Sequence, residues 1–285
     1  MRILVTGGEG FTGRYVRHEL ERGGHEVTDL RARLEDAAAM RDEVSRIAPD
    51  AVIHLAAVAF VAHSEARAFY DVNLVGTMNL LDALASHAEA GGTLRRVVLA
   101  SSANVYGPGE GTALTEETPA NPSNHYALSK FAMERMSALY RDRLPTVIVR
   151  PFNYTGPGQD ENFVVPKIVA AFRRGDRSIR LGRTDVRRDF SDVRAVTAAY
   201  RGLVEADRLP ADTFNVCSGR ARSIDEVIDI CAEAAGYRME IERDPAFMRR
   251  GDIETLVGSN ARLRGTLPSW EPIGFERTLR DMLAA

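Results

Sequence analysis

The sequence has little cysteine, no long apolar segment and no long run of charge of one sign. It contains two cysteines, Cys217 and Cys231, and no CxxC pair, so neither a disulfide framework nor a thiolate metal site is expected. The longest stretch without Asp, Glu, Lys or Arg covers residues 51–64 and includes two histidines, whereas a membrane-spanning helix needs about 20 apolar residues. The chain begins with a strand and a glycine turn rather than with a secretory signal, which favours a cytoplasmic location without a membrane partner.

Positive and negative charges are nearly balanced. The 285 residues include 37 Lys and Arg against 40 Asp and Glu, for a formal net charge of −3, and this balance argues against nucleic acid as the main partner. Hydrophobic residues make up 45% of the chain and charged residues 27%, which is typical of a folded globular protein rather than a disordered one. The histidines show no HxxxH or HxH spacing, so no metal site is expected.

Short β-branched runs alternate with amphipathic segments, which indicates a parallel sheet covered by helices on both faces. The predicted strands are Arg2–Thr6, Glu26–Leu30, Ala51–Leu55, Arg96–Ala100, Thr146–Arg150 and Thr213–Val216. The predicted helices are Thr12–Arg22, Glu35–Ile47, Val72–Ala90, Asn124–Arg143 and Val193–Ala206. Between Leu30 and Ala51 there is room for one helix but hardly for a further strand. We therefore predict an α/β fold, a Rossmann-like doubly wound parallel sheet whose third strand is vestigial or absent.

Beyond Pro151 the chain is rich in proline and glycine, which marks the point where a second region leaves the sheet. Helices at Ile224–Ala235 and Glu276–Leu283 and a strand at Met239–Glu242 predict a smaller mixed α/β C-terminal lobe. We predict a dinucleotide-binding domain from residues 1–161 and 189–217, and a substrate lobe from residues 162–188 and 218–285.

Glycines recur at three-residue intervals where the first strand meets the first helix. Such glycines permit a tight turn and let the backbone approach a pyrophosphate at the positive end of the helix. A plain strand-to-helix turn is the alternative, and the position at residue 7 of an alternating chain argues against it. We assign to cofactor binding Gly7, Gly10, Phe11, Thr12 and Gly13.

The residue that ends the second strand distinguishes the two nicotinamide cofactors, because a carboxylate binds the ribose diol and an arginine accommodates a 2′-phosphate. By our count Arg31 occupies that position, so NADP(H) is favoured, while Asp29 keeps NAD(H) open. Arg33 lies close by and is equally well explained as a solvated loop residue.

Tyr126 and Lys130 are four residues apart on a predicted helix and therefore project from one face. A free phenol titrates near pH ~10, and an adjacent ammonium is expected to lower its pKa toward working pH. Ser102 follows a buried strand, which places its hydroxyl at the carboxyl edge of the sheet, where doubly wound folds bind ligands. We predict that Ser102, Tyr126 and Lys130 are catalytic.

Several motifs follow one another in order along almost the whole chain: TGGEGFTG, HLAA at His54–Ala57, the run Asn73–Thr77, SSANVYG, YALSK, RPFNYTGPGQ at Arg150–Gln159, RRDFSDV at Arg187–Val193, FNVCSG at Phe214–Gly219 and RRGDIETLVGSN at Arg249–Asn260. In these motifs the sequence resembles a known family, the extended short-chain dehydrogenases/reductases acting on nucleotide sugars. Within this family the chain looks most like the GDP-6-deoxy-4-keto-mannose reductases, which make GDP-rhamnose.

The resemblance implies a role for each matching residue. Tyr126 becomes the general acid/base, Lys130 its partner and a ribose ligand, and Ser102 the hydrogen-bond partner of the substrate carbonyl. Cofactor contacts are implied for Leu55, Ala56 and Ala57. Substrate contacts are implied for Asn104, Asn153, Val164, Arg188, Arg249 and Asp252. Arg188 and Arg249 would grip the substrate pyrophosphate; the alternatives are a solvated surface pair for Arg249 and its neighbour Arg250, and a turn-forming role for Asn153.

The sequence also departs from the family pattern. Ala103 and Asn104 stand where family dehydratases carry a carboxylate, so elimination of water lacks a base and dehydratase activity is disfavoured. His125 precedes the tyrosine where proline is usual, either as a helix-start residue or as a polar contact to substrate. An Asp that often contacts the adenine is replaced around Arg33.

The leading functional hypothesis is reduction of a nucleotide-linked 4-keto-6-deoxy-sugar by NADPH, with GDP-4-keto-6-deoxy-mannose as the substrate and GDP-rhamnose as the product. An NAD-dependent 4-epimerase uses the same three side chains, and a non-catalytic dinucleotide sensor is the third hypothesis. The resemblance also implies a homodimer that pairs two helices from each chain. Their apolar positions, which can equally face the sheet, are Leu80, Leu81, Leu84, Met133, Met136 and Leu139.

Overall fold

The structure is a computed structural model that describes residues 1–59, 65–108, 112–247 and 253–285. Its strands in chain order are β1 Arg2–Thr6, β2 Glu26–Asp29, β3 Ala51–His54, β4 Arg96–Ala100, β5 Thr146–Pro151, β6 Asn153–Thr155, β7 Ser178–Leu181, β8 Arg187–Asp192, β9 Thr213–Val216, β10 Ala221–Ser223, β11 Glu240–Arg243 and β12 Thr255–Leu256.

The α-helices in chain order are α1 Phe11–Arg22, α2 Ala37–Ile47, α3 Ala66–Tyr70, α4 Thr77–Glu89, α5 His125–Ser137, α6 Val164–Arg174, α7 Val193–Glu205, α8 Ile224–Ala235, α9 Ala261–Thr266 and α10 Phe275–Ala284. A π-helix covers Asp71–Gly76, and short 3₁₀ segments cover Ala103–Tyr106, Ala138–Tyr140 and Pro245–Phe247.

Six parallel strands form the main sheet in the order β2-β1-β3-β4-β5-β9. Successive side chains of a strand point to opposite faces, so Ile3 and Val5 join a core with α1 and α7, whereas Leu4 joins a core with α2, α4 and α5. The predicted α/β, Rossmann-like doubly wound fold is confirmed. Every residue between Leu30 and Ala51 is described, and this segment holds one helix and no strand, so the expected lack of a third strand is also confirmed.

The C-terminal lobe has its own core, in which α6, α8 and α10 pack against β7 and β8. β8 pairs with β6, β10 and β12, and β7 pairs with β11. The segment before α10 returns to the main sheet: Trp270 lies in the sheet's core and donates a hydrogen bond from Nε1 to the Ala195 carbonyl at 2.8 Å. In α10, Leu279 and Met282 belong to the lobe's core, and Thr278 donates to Asp192 at 2.7 Å.

Most predicted boundaries differ from the structure by one or two residues, with two larger corrections. The predicted helix Val72–Ala90 divides into the π-helix and α4, and Asn124–Arg143 is α-helical only to Ser137. The start at Glu35 is wrong because the Asp36 side chain caps α2 by accepting from the Ala39 amide at 3.0 Å. The sequence reading missed the strands β6, β7, β8, β10 and β12, which are short and pair with distant segments, and the helices α3, α6 and α9.

No helix within the described ranges is long and apolar enough to span a bilayer. The same residues contain no cluster of three or more His, Cys, Asp or Glu side chains arranged to hold a metal ion.

Candidate active site

The predicted site residues of the main domain lie at one edge of the sheet. Gly7 follows β1, Leu55 follows β3 and Ser102 follows β4, and these strands are neighbours in the sheet. Parallel strands end at the same edge, so the three loops meet there and leave the crevice in which doubly wound folds bind ligands.

The glycine turn has the backbone geometry that a pyrophosphate needs. Gly7 adopts a positive φ of 72°, and a Cβ there would lie 2.9 Å from the Ala56 amide nitrogen. A Cβ at Gly13 would overlap the Gly7 carbonyl and the Gly8 backbone. Gly10 caps α1, and no described side chain caps that end, so the amides of the first helical turn lack helical partners and are available to an anion. These residues fit a dinucleotide phosphate group.

The loop after β3 is fixed beside this turn. The Leu55 amide donates to the Thr6 carbonyl at 3.2 Å, and the Ala56 amide donates to Thr6 Oγ1 at 3.1 Å. Leu55, Ala56 and Ala57 are all partly exposed, so the structure brings the predicted cofactor contacts of this loop together with Gly7.

The end of β2 differs from the sequence-based assignment. The strand ends at Asp29, and Arg31 lies two residues beyond it with an exposed side chain. The Arg31 amide is bound by the Glu43 carboxylate, Nη2 of Arg17 binds Oδ2 of Asp29, and buried Oδ1 of Asp29 has no hydrogen-bond partner among the described residues. The count that placed Arg31 at the strand end was therefore wrong, and a carboxylate holds that position.

Ser102 and Tyr126 meet at the carboxyl edge of the sheet. Asn124 caps α5 by accepting from the Ala127 amide at 2.8 Å, so the helix starts at His125, one residue before Tyr126. The Ser102 hydroxyl lies beside the Tyr126 phenol, where it opposes the effect of burial on the pKa of that phenol. Burial raises the pKa of the phenol to about 12, so Tyr126 is protonated at neutral pH.

Lys130 is buried one turn after Tyr126, and its ammonium points to the strand. Nζ donates to the Ala100 carbonyl at 2.8 Å, and burial lowers the pKa of Lys130 to about 8 despite the opposing attraction of Glu134. The expected lowering of the phenol pKa by Lys130 was wrong for this structure, because desolvation dominates the titration of Tyr126 and Lys130 is not among its causes.

A buried ion pair supports this helix, and the sequence reading missed it. Glu134 accepts from Arg150 Nε at 2.9 Å, from Arg150 Nη2 at 2.6 Å and from Ser101 Oγ at 2.5 Å. Arg150 also donates to the Tyr106 hydroxyl at 3.0 Å. The spacing of Lys130 and Glu134 by one helical turn was the available signal.

A second missed network runs from β1 to α5. The Thr6 hydroxyl donates to His54 Nδ1 at 2.7 Å. His54 Nε2 lies 2.8 Å from Thr77 Oγ1, and the Thr77 proton goes to the Asn73 carbonyl, so His54 is the donor of this pair. The Asn73 amide donates to Ser129 at 3.0 Å. His54 is fully buried, and burial lowers its pKa to about 3.

The predicted substrate residues are spread over the edge of the lobe. Asn104 lies in the 3₁₀ turn after Ser102, and exposed Asn153 begins β6, which pairs with the strand of Arg188. Arg188 donates to the Arg187 carbonyl at 2.9 Å, and Val164 is 37% exposed at the start of α6. Arg249 and Asp252 fall outside the described residues.

His125 is the first residue of α5 and packs on α3. Its Nδ1 lies 2.9 Å from the Tyr70 hydroxyl, and the two rings meet edge to face at 5.8 Å. Both roles predicted for His125, helix start and polar contact, are compatible with this exposed position, and only the first is visible in the protein alone.

A doubly wound sheet with a glycine turn after β1 and Ser102, Tyr126 and Lys130 at its carboxyl edge defines the class of the extended short-chain dehydrogenases/reductases. Residues 3–217 match the NAD dependent epimerase/dehydratase family. The chain belongs to this family, which confirms the resemblance seen in the sequence.

Two curated relatives cover nearly the whole chain. GDP-6-deoxy-D-talose 4-dehydrogenase of Aggregatibacter actinomycetemcomitans is 34% identical over 94% of this chain and 91% of its own length. GDP-6-deoxy-D-mannose reductase of Pseudomonas aeruginosa is 36% identical over 99% of this chain and 96% of its own length.

Solved structures share the fold and carry nicotinamide cofactors. RMD from Pseudomonas aeruginosa, complexed with NADPH, superposes with a TM-score of 0.87 at 34% identity and covers 99% of this chain and 97% of that one. UDP-glucose 4-epimerase of Thermus thermophilus, complexed with NAD, has a TM-score of 0.87 at 28% identity and covers 100% of this chain and 98% of that one. The family and the site together make this chain an NAD(P)-dependent oxidoreductase.

Proposed function

We propose that the protein reduces the C4 ketone of a GDP-linked 4-keto-6-deoxy-hexose, with GDP-4-keto-6-deoxy-mannose as substrate and GDP-rhamnose as product. The relatives named for GDP-6-deoxy sugars support the nucleotide and the sugar class. The observation that carries the reaction type is the placement of the Ser102 hydroxyl beside a protonated Tyr126 at the carboxyl edge of the sheet.

In this reaction the bound nicotinamide supplies a hydride to C4 of the sugar. Tyr126 donates its phenolic proton to the carbonyl oxygen as that oxygen gains charge, because a phenol with a raised pKa holds its proton until an alkoxide appears. Ser102 donates a hydrogen bond to the substrate oxygen and polarises the carbonyl. Lys130, held under α5 by the Ala100 carbonyl, lies one turn away and is the proposed ribose ligand.

The segment after β4 favours reduction over dehydration. Ala103 is buried and Asn104 is partly exposed, so this turn offers no carboxylate to remove a proton beside the ketone. The proposed substrate contacts are Asn104, Asn153, Val164, Arg188, Arg249 and Asp252. A cytoplasmic location without nucleic-acid or membrane partners belongs to the same proposal.

The choice between NADP(H) and NAD(H) rests on the end of β2. The preference for NADP(H) came from placing Arg31 there, and Asp29 occupies the position instead. Arg31 keeps an exposed guanidinium two residues further on, and a relative is complexed with NADPH. We therefore propose that the reductase binds NADPH with Arg31 at the 2′-phosphate. NADH is the competing cofactor, because the Asp29 carboxylate can bind its ribose diol.

The proposal is tested by incubating the protein with NADPH or NADH and a panel of nucleotide-linked 4-keto-6-deoxy-sugars, with NMR of the product. We expect stoichiometric oxidation of the reduced cofactor with a GDP-linked substrate and loss of the reaction in Tyr126→Phe. Tyr70→Phe is the matched control, since it loses the contact to neighbouring His125 and should keep its rate. If no member of the panel causes the reduced cofactor to be consumed, the proposed reduction is refuted.

A 4-epimerase is the second candidate, favoured by the carboxylate at the end of β2 because such enzymes retain NAD. The distinguishing measurement is turnover of a nucleotide sugar by purified protein without added cofactor. Release of bound NAD on denaturation, together with such turnover, would replace the reductase assignment.

A further inference from the structure

Tyr154 joins the start of β6 to the glycine turn, and no motif assigned it a role. Its hydroxyl lies 2.8 Å from Thr12 Oγ1, and its ring stacks on Phe11 with a centroid distance of 6.4 Å and an interplanar angle of 12°. Phe11 and Thr12 are the first two residues of α1. Tyr154 therefore contacts the helix end whose amides are available to an anion, although it lies 142 positions further along the chain.

The protons of this pair leave one donor unused. Two hydroxyl groups contribute two protons, and the bond between them uses one. Neither oxygen is otherwise hydrogen-bonded within the described ranges. Burial raises the pKa of the Tyr154 phenol, so the pair stays neutral and keeps both protons at physiological pH. The remaining proton is available to an acceptor from outside the chain.

The position of Thr12 directs that donor. A helical side chain leans over the turn on the N-terminal side of its own Cα, so the Thr12 hydroxyl lies over the first turn of α1. That turn carries no acidic residue, and its amides favour negative charge. A hydroxyl at this position is therefore suited to bind an oxyanion rather than a cation.

We propose that the Thr12–Tyr154 hydroxyl pair is a further binding contact for the cofactor pyrophosphate, in which Tyr154 donates to Thr12 and Thr12 donates to a phosphate oxygen. Tyr154 is then a positioning residue and Thr12 the direct ligand. The inference rests on the nicotinamide dinucleotide of the proposed function and on no property of the sugar substrate.

The test is a titration calorimetry series with ADP-ribose, which carries the adenosine, pyrophosphate and ribose of the cofactor but no nicotinamide. Tyr154→Phe keeps the ring on Phe11 and Thr12→Val keeps the shape of the side chain, and each should weaken binding about tenfold. The double variant should bind about as weakly as Thr12→Val alone, because Tyr154 acts only through the Thr12 hydroxyl. Thr12→Ser, which keeps the hydroxyl, should bind ADP-ribose like the wild type.

Tyr15→Phe is the matched control. Tyr15 packs on the same Phe11 ring at 5.4 Å and donates from its hydroxyl to the Pro157 carbonyl at 2.8 Å, so it loses a similar hydrogen bond in the same cluster away from Thr12. Its affinity should stay within twofold of wild type. Unchanged binding in Tyr154→Phe, equal weakening in Tyr15→Phe, or additive effects in the double variant would each overturn the proposal.

The series also separates this inference from the proposed function. ADP-ribose cannot be oxidised or reduced at a nicotinamide, so its affinity is independent of whether the enzyme reduces a ketone. If reductase activity is absent while the affinity pattern holds, only the substrate assignment fails. Thermal melts of each variant establish that an observed loss belongs to folded protein.

Discussion

Burial sets the titration of the ionisable side chains around the site. It raises the pKa of Tyr126 to about 12, lowers that of Lys130 to about 8 and lowers that of His54 to about 3. Tyr126 therefore keeps a proton to donate, and Lys130 loses its positive charge in mildly alkaline solution. His54 is a neutral imidazole that is hydrogen-bonded to two threonines.

Reductase activity should fall as pH rises through about 8. The reason is that Lys130 loses its proton there, whereas Tyr126 remains protonated to a much higher pH. A profile of kcat from pH 6 to pH 10 checks this expectation. Lys130→Arg, whose guanidinium does not titrate in this range, should have a lower rate without the same alkaline limb; an identical limb in that variant would assign the titration to another group.

His54 should make the protein sensitive to acid. The folded state holds the imidazole neutral, whereas the unfolded chain takes up a proton below a pKa of about 6.5. The unfolded state therefore binds more protons as the pH falls, and the free energy of unfolding decreases by up to about 1.4 kcal/mol per pH unit from this group. Urea titrations between pH 7 and pH 5 should show that the free energy of unfolding changes less steeply with pH in His54→Gln than in the wild type. An equal dependence on pH in the two proteins would contradict the assignment.

The site residues were predictable where the side chain follows directly from an element boundary. Ser102, after β4, and Tyr126, in the first turn of α5, lie side by side as their positions indicated. Arg31 was wrongly placed at the end of β2 because the last residue of a strand is hard to locate from sequence alone. In the structure Asp29 is that last residue. The direction of the Lys130 ammonium depends on the Ala100 carbonyl, a partner thirty residues away that no local pattern reveals.

Among the elements, α5 and β5 are joined by the buried pair of Glu134 and Arg150. Their side chains are 6% and 9% exposed, so both charges have left water. A buried pair whose remaining atoms are also bonded, here by Ser101 and Tyr106, fixes one relative position of the two elements.

Removing one partner of this pair should cost far more than removing both. Glu134→Leu or Arg150→Met leaves an uncompensated buried charge and should lower the free energy of unfolding by about 3–5 kcal/mol. The double variant should recover much of that loss. Urea denaturation measures the cycle, and Glu161→Gln, which breaks the exposed pair with Arg174, is the control with an expected effect below about 1 kcal/mol. Strict additivity would contradict the coupling.

Element types were predictable where one hydrophobic period continued over ten or more residues, as in α7 and α8. The π-helix at Asp71–Gly76 was read as ordinary helix because its residues have the same composition, and what differs is that the Asn73 side chain bonds the Val58 backbone at 2.9 and 3.2 Å. β6 and β8 were missed because three to six residues carry too short a pattern to separate a strand from a loop.

At the scale of the whole molecule, α4, α5 and the segments joined to them bear the largest exposed apolar side chains of the sheet domain. Val75, Met78, Leu128 and Leu139 are 40%, 38%, 43% and 78% exposed. Of the positions expected in a dimer interface, Leu80, Leu81, Leu84 and Met133 instead lie in the core of one chain. We propose a homodimer that buries the exposed set.

Sedimentation velocity should find a dimer at micromolar concentration. Met78→Asp combined with Leu139→Asp places two charges on the proposed interface and should give a folded monomer. Phe247→Asp changes a side chain that is 51% exposed in the lobe and should leave the dimer intact. A monomeric wild type would refute the homodimer.

The predicted division into two domains remains a prediction. The segment from Trp270 through α10 contributes to both cores. Residues near Trp270 fill the sheet's core, and α10 fills the lobe's core a few positions later. On the ribosome, both cores therefore remain incomplete until this segment has emerged, so a nascent chain exposes apolar surface of both cores up to that point.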